Sequence, residues 1–108
     1  MNKFEEAIAT YKSAGIAVNN DLLEKVAKSL GPSIYNADSS MVSGSDKGEL
    51  ATVKNNFLIR KLGLADGPGL DSAIDEAIEK MGRSNPKKHR AILYTLLVEK
   101  FGKQSLFN

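Results

Sequence analysis

Apolar residues recur at intervals of three and four along five segments of the chain, and a glycine follows each segment. This spacing places the apolar side chains on one face of a helix, and glycine readily adopts the left-handed conformation that ends a helix. The five glycines are Gly15, Gly31, Gly63, Gly82 and Gly102. No convincing alternating pattern of the kind that marks strands appears. The sequence therefore predicts an all-α fold, a compact bundle of five main helices plus a short one.

The five predicted helices differ in how much of their surface is apolar. Apolar faces cover residues 4–11, 22–30 and 70–81. The third segment, from about Asp46 to Leu62, has two seams instead of one, Leu50/Val53/Phe57 and Ala51/Leu58/Leu62. The last segment, from Pro86 to Phe101, has apolar residues on most sides of the predicted helix. This pattern predicts that it is the central helix of the bundle.

Polar residues and prolines mark where these helices begin. Asn2, Asp21 and Asp46 are each followed three residues later by Glu, which is the spacing of a capping box. Pro68 and Pro86 suit the first position of a helix, where no backbone N–H is needed. These signals predict the starts of all five helices.

A run rich in Ser, Asp and Gly interrupts the helical pattern. The strings SLGPS and KMGRS align, as do FLIRKLG and LLVEKFG, which suggests two repeated helical hairpins. Gly31 to Gly63 spans 12 more residues than Gly82 to Gly102. Residues 33–48 are accordingly interpreted as an insertion in one hairpin, starting with a short helix from Pro32 through Tyr35. The whole chain, 1–108, is predicted to be one domain.

Composition excludes several classes of protein. The chain has no cysteine, which excludes disulfide frameworks and thiolate metal sites and fits a reducing compartment. No run approaches the roughly 18 apolar residues of a membrane span, and the N-terminus lacks a signal-peptide core. A cytoplasmic protein without membrane association is expected.

Positive charge is concentrated in the second half of the chain. The net charge is only +2, but residues 1–50 hold five bases against seven acids and residues 51–108 hold ten against six. The stretch from Lys80 to Arg90 contains five bases and no acid. Its sequence predicts a helix that Asn85 caps and Pro86 opens, with Lys87 and Lys88 in the first turn.

Cations in the first turn of a helix interact unfavourably with the helix macrodipole. Residues that break a local rule in this way are expected most often at functional sites. Free amides and bases together can hold a phosphate or carboxylate. This predicts an anion- or partner-binding corner, here called the basic corner: Arg83, Asn85, Lys87, Lys88, His89 and Arg90. The alternative is a solvated surface whose positive charge is balanced by acids of the preceding helix: Asp75, Glu76 and Glu79. Arg90 shares the apolar stripe of the last helix, so its stem should pack while its guanidinium reaches solvent or an acid.

Three other functions remain open. His89, the single histidine, could serve a small enzyme, although no catalytic spacing accompanies it. The last helix could bind nucleic acid weakly, but a net charge of +2 and the lack of a recognition motif argue against it. A structural or assembly role is the third. No catalytic residue, metal or cofactor is predicted, and the sequence does not indicate an oligomeric state.

The strings LGPSIYNAD, SDKGELATVKNNFLIRKLGLADGPGLD and KHRAILYTLL together resemble a domain-of-unknown-function family of small bacterial proteins. The resemblance covers nearly the whole chain. It implies a compact, all-helical single domain with no assigned activity, cofactor or catalytic residues.

From the residues, the sequence favours a non-enzymatic binding module whose basic corner holds an acidic protein or a phosphate-bearing ligand. It also predicts that changing Lys87 and Lys88 to Glu leaves the fold intact, because both side chains are expected at the surface.

Overall fold

The computed structural model describes residues 2–36, 39–85 and 88–107. Five α-helices lie within these ranges: α1 (Lys3–Ser13), α2 (Asn20–Leu30), α3 (Lys47–Thr52), α4 (Pro68–Met81) and α5 (Arg90–Phe101). A π-helix, Val53–Lys61, continues α3, and short 3₁₀ helices cover Gly31–Tyr35 and Gln104–Phe107. These ranges contain no strand, only one isolated bridge. The prediction of an all-α fold with a short helix after Gly31 is confirmed.

Local capping signals account for most helix starts. The side chain of Asn2 accepts a hydrogen bond from the N–H of Glu5 at 2.8 Å, and Asp46 accepts from the N–H groups of Gly48 and Glu49. The predicted cap of α2, Asp21, is wrong. Asn19 caps this helix instead, at 3.0 Å from the N–H of Leu22, and Asp21 lies in the first turn, where an acid favours the macrodipole.

The glycines end the helices as predicted. All five have a positive φ, between 63° and 91°. Gly102 is in the left-handed α conformation, and its N–H donates back to the carbonyl of Glu99 at 3.3 Å. This geometry turns the chain out of α5 toward the last 3₁₀ helix.

The π-helix explains the two seams of the third segment. Its hydrogen bonds join residues five apart, as between the N–H of Leu62 and the carbonyl of Phe57 at 2.9 Å. Residues separated by four and five therefore lie on one face. Val53, Phe57, Leu58 and Leu62 are accordingly all buried. The wider helical turn merges parts of two α-helical seams into one apolar stripe, while Ala51 is exposed.

The central position predicted for the last helix is confirmed. Every residue from Ala91 to Val98 is buried, and α5 packs against α2 on one side and α4 on the other. Thr95 is accommodated because its hydroxyl donates to the carbonyl of Ala91 at 2.7 Å. Phe107, in the last 3₁₀ helix, adds to the core, with its ring 6.4 Å from that of Phe57.

The predicted start of α5 at Pro86 is wrong. Residues 39–45, here called the strap, lie against the chain just before α5. The N–H of Val42 donates to the carbonyl of Lys88, and the N–H of Arg90 donates to the carbonyl of Ser40, both at 2.8 Å. These bonds form an antiparallel bridge between Met41 and His89. Because the carbonyl of Lys88 and the N–H of Arg90 bond to the strap on either side of His89, the helix begins only at Arg90.

The repeat of two hairpins and the single-domain organisation remain predictions. Asp38, part of the predicted insertion, lies outside the described residues. In the part of the chain that is described, no helix has both the length and the apolar character needed to cross a membrane.

Candidate functional site

A polar cleft of about 550 Å³ separates the strap from the turn that follows α4. Strap residues 41–45 and Glu49 line one side, and residues 83–85 with Lys88 line the other. The strap hydrogen bonds bring these two loops together, although they are about forty residues apart in the sequence. The cleft is therefore a product of the tertiary fold.

Lys88 lies at the boundary of this cleft and is only 6% exposed. Its ammonium group donates to the carbonyls of Arg83 at 2.9 Å and Asn85 at 2.5 Å. Lysine has three N–H donors, so these bonds use two of them. Among the residues that the structure describes, no carboxylate lies within salt-bridge distance of Lys88. In the described part of the chain, a positive charge is thus buried against backbone carbonyls.

The position of the Lys88 stem depends on a glycine in the strap. A Cβ atom on Gly44 would lie 3.0 Å from Cε and 3.2 Å from Cδ of Lys88, and 3.2 Å from Cγ2 of Ile78. Only a residue without a side chain lets the strap approach the lysine this closely. Gly44 therefore helps to bury the lysine stem.

Arg83 also lines the cleft, but acids of α4 neutralise it. Its guanidinium bonds to Glu79 at 2.5 Å and Asp75 at 3.0 Å, and these two carboxylates, Glu79 first, raise its pKa above the ordinary value. Glu76, also considered as a partner, instead pairs with Lys100 at 2.6 Å. Of the three acids expected to balance the charge of the basic corner, Asp75 and Glu79 therefore pair with one of its residues, Arg83.

Arg90 ties the strap, α3 and α5 together. Its Nε donates to the carbonyl of Ser39 at 2.7 Å, its Nη1 to the hydroxyl of Tyr94 at 2.9 Å and its Nη2 to Glu49 at 2.5 Å. Burial opposes the charge, but the bonds to Tyr94 and Glu49 outweigh it and raise the pKa of Arg90. As expected, its guanidinium meets an acid. The predicted capping role of the Glu49 side chain is replaced by this contact.

The family to which the chain belongs supplies no function. The model of DUF2853, described as a protein of unknown function, matches residues 4–105. The chain belongs to the DUF2853 family. This confirms the resemblance to an uncharacterised domain over nearly the whole chain. No match is found among curated proteins.

The predicted basic corner is divided in this DUF2853 protein. Arg83, Asn85 and Lys88 line the cleft, whereas Arg90 braces the strap. His89 does not line the cleft. It is 7% exposed, and its ring centroid lies 5.0 Å from that of Tyr11. Lys87 lies outside the described residues.

The expectation that Lys88 occupies an exposed first helical turn is wrong for the DUF2853 chain. The strap covers the lysine, and the bridge to Met41 keeps its backbone out of α5. Sequence reasoning also missed the contributions of Glu49 and the strap to the cleft. Their one sequence signal was the Ser- and Gly-rich composition, which equally describes an ordinary loop.

Proposed function

We propose that this protein is a non-enzymatic binding module whose cleft receives the anionic group of a partner. The carboxylate of an acidic partner and the phosphate of a phosphorylated one share this chemistry. The observation that carries the proposal is the ammonium group of Lys88, which is buried without a carboxylate partner in the described part of the chain. A buried charge is costly unless it is paired, so an anion in the cleft would stabilise the site.

Other residues of the cleft suit the same role. Ser43, Ser45 and Ser84 line it, and serine hydroxyls donate readily to carboxylate and phosphate oxygens. The second charge of the cleft wall, Arg83, is engaged by Asp75 and Glu79 and contributes less. Lys88 is therefore the main determinant of anion binding in this proposal.

Two alternatives receive less support from the contacts. His89, the residue considered for catalysis, packs on Tyr11 away from the cleft. Nucleic-acid binding depends on Lys and Arg that are free to contact phosphates, and Arg83 and Lys100 are each bonded to acids. A cytoplasmic location is part of the proposal, because a chain without cysteine fits a reducing compartment.

The test is an NMR titration of ¹⁵N-labelled protein with sodium acetate and with sodium phosphate, at constant ionic strength set by NaCl. We expect saturable shifts of the amide signals of residues 42–45, 83–85 and 88. Lys88→Met should abolish them while keeping the unbranched stem beside Gly44. Lys80→Met, at an exposed position of α4, is the matched control and should bind normally.

A second variant guards against misfolding of Lys88→Met. Ser43→Ala combined with Ser45→Ala removes two hydroxyls from exposed strap positions and should weaken binding by about fivefold or more, near the energy of one hydrogen bond. The proposal is wrong if neither anion produces saturable shifts. It is also wrong if folded Lys88→Met and the double serine variant both bind like the unaltered protein.

A further inference from the structure

We infer that the ligand of this cleft is a small organic anion with a single negative charge, a monocarboxylate. The inference rests on the proposed function, since it names the class of ligand for the same site. It follows from the charge balance around the cleft, from the size of the cleft and from the residues that line it.

Among the described residues around the cleft, one positive charge has no acidic partner. Arg83 bonds to two acids of α4, and Arg90 bonds to Glu49. Lys88 alone among these three described cations bonds only to carbonyls. One negative charge on the ligand would therefore neutralise the Lys88 ammonium, which has no carboxylate partner among the described residues.

A second negative charge on the ligand would be unfavourable. Glu49 in the cleft wall is already paired with Arg90. Arg83 is paired with two carboxylates at once, which leaves an excess negative charge beside the cleft. A dianion would place like charges close together, which weakens binding strongly at a partly buried site. The cleft wall thus selects against phosphate dianions and dicarboxylates.

The size and lining of the cleft favour a small organic molecule over bare inorganic ions. Its volume of about 550 Å³ falls in the range of small-molecule sites. Met41, half-buried, and Val42, buried, supply apolar surface beside the polar strap residues. A short hydrocarbon body can contact this surface while the carboxylate reaches Lys88.

Butyrate and succinate test the inference because they share a four-carbon skeleton and differ by one carboxylate. Both are titrated by NMR at pH 8 and constant ionic strength, together with inorganic phosphate. We expect butyrate to bind about tenfold more tightly than succinate or phosphate. If succinate or phosphate binds as tightly as butyrate, the charge class is wrong but the anion site stands. If none of the three binds, the proposed function falls as well.

Glu49→Gln tests the cause of the selectivity. The glutamine oxygen can still accept from Arg90, so the strap should stay in place, but one negative charge is lost from the cleft wall. We expect succinate to gain about fivefold in affinity relative to butyrate. Glu99→Gln, at an exposed position near the far end of α5, removes the same charge elsewhere and should leave the ratio unchanged. An unchanged ratio in Glu49→Gln would overturn the inference.

Discussion

Lys88 contributes to the fold as well as to the cleft. Its ammonium group holds the carbonyls of Arg83 and Asn85 in the turn after α4, and its stem occupies the space beside Gly44. A buried polar group without such bonds would be destabilising. The side chain therefore links the turn and the strap, and its chemistry cannot be changed freely.

Replacing Lys88 separates the role of its stem from that of its charge. Lys88→Met keeps the stem and leaves two carbonyls without this donor, which we expect to cost about 1–2 kcal/mol. Lys88→Glu places a carboxylate against carbonyl oxygens and should cost more than about 3 kcal/mol. Urea unfolding measures both, and Lys80→Glu at the surface should change stability by less than about 0.5 kcal/mol. Equal stability of Lys88→Glu and the unaltered protein would contradict the buried position.

Tyr11 buries a hydroxyl for which the described residues provide no hydrogen-bond partner. The residue is 4% exposed, and burial, with a smaller contribution from Tyr35, raises the pKa of its phenol above the ordinary 10.0. The neutral form is therefore favoured in the folded protein. The buried hydroxyl therefore makes the folded protein less stable than an apolar side chain would at this position. It also makes that stability decrease at alkaline pH.

Tyr11→Phe should raise the free energy of unfolding at pH 7 by about 0.5–1 kcal/mol, because it removes the unsatisfied hydroxyl. Because the pKa of Tyr11 is raised in the folded protein, the stability that its protonated phenol contributes is fully present below pH 10.0. This stability is lost as pH rises through the folded-state pKa. Thermal unfolding between pH 8 and pH 11 should thus show a smaller alkaline loss for Tyr11→Phe. Tyr94→Phe, which loses a bond from Arg90, should instead be destabilised at pH 7. Identical alkaline profiles for Tyr11→Phe and the unaltered protein would exclude this assignment.

Among the helices and turns, the π-helix Val53–Lys61 is the element least expected from local rules. π-helices are rare and mostly short, yet this one buries Val53, Phe57 and Leu58 together. The ring of Phe57 stacks on Tyr94 at 3.8 Å between centroids. Packing against the core favours the wider turn, because an α-helix would direct part of this apolar set toward solvent.

Leu62→Ala tests the π-helical face. Leu62 is 2% exposed, so truncation should cost about 2–5 kcal/mol in urea unfolding, as for other buried leucines. Ile59→Ala is the control, because Ile59 is only partly buried and should lose less. At α-helical spacing Leu62 lies opposite Val53, and a near-neutral Leu62→Ala would therefore favour an α-helix over the π-helix.

At the scale of the whole molecule, α5 is the central element of the described structure. It packs against α2 and α4, and Arg90 at its start bonds to both the strap and α3 through Glu49. Phe107, in the last 3₁₀ helix, lies in the core beside Phe57. This arrangement favours a single cooperative unit.

We expect one cooperative unfolding transition. Far-ultraviolet circular dichroism and tyrosine fluorescence should give the same urea midpoint, because loss of α5 removes core contacts of both α2 and α4. Arg90→Met should lower this midpoint while keeping the two signals coincident. Separate midpoints for the two signals in the unaltered protein would instead indicate parts that unfold independently.

The all-helical class, the positions of the main helical segments and most of their ends were determined by the sequence itself. Apolar spacing, the side chains of Asn2 and Asp46 and the glycines act through bonds and contacts within a few residues, and local rules describe those well. The central position of α5 likewise follows from the apolar residues on most sides of this helix.

Only the tertiary structure decided that Lys88 is buried, that α5 starts at Arg90 and that residues 53–61 take the π-helical turn. Each outcome depends on groups distant in the sequence: the strap on Lys88 and Arg90, Glu49 on Arg90, and Tyr94 on Phe57. The cleft belongs to the same class, since its two sides meet only after folding. Such long-range contacts decide the structure where they conflict with local capping and periodicity. The free energy of packing and of long-range hydrogen bonds exceeds the few tenths of a kcal/mol by which local propensity favours one conformation.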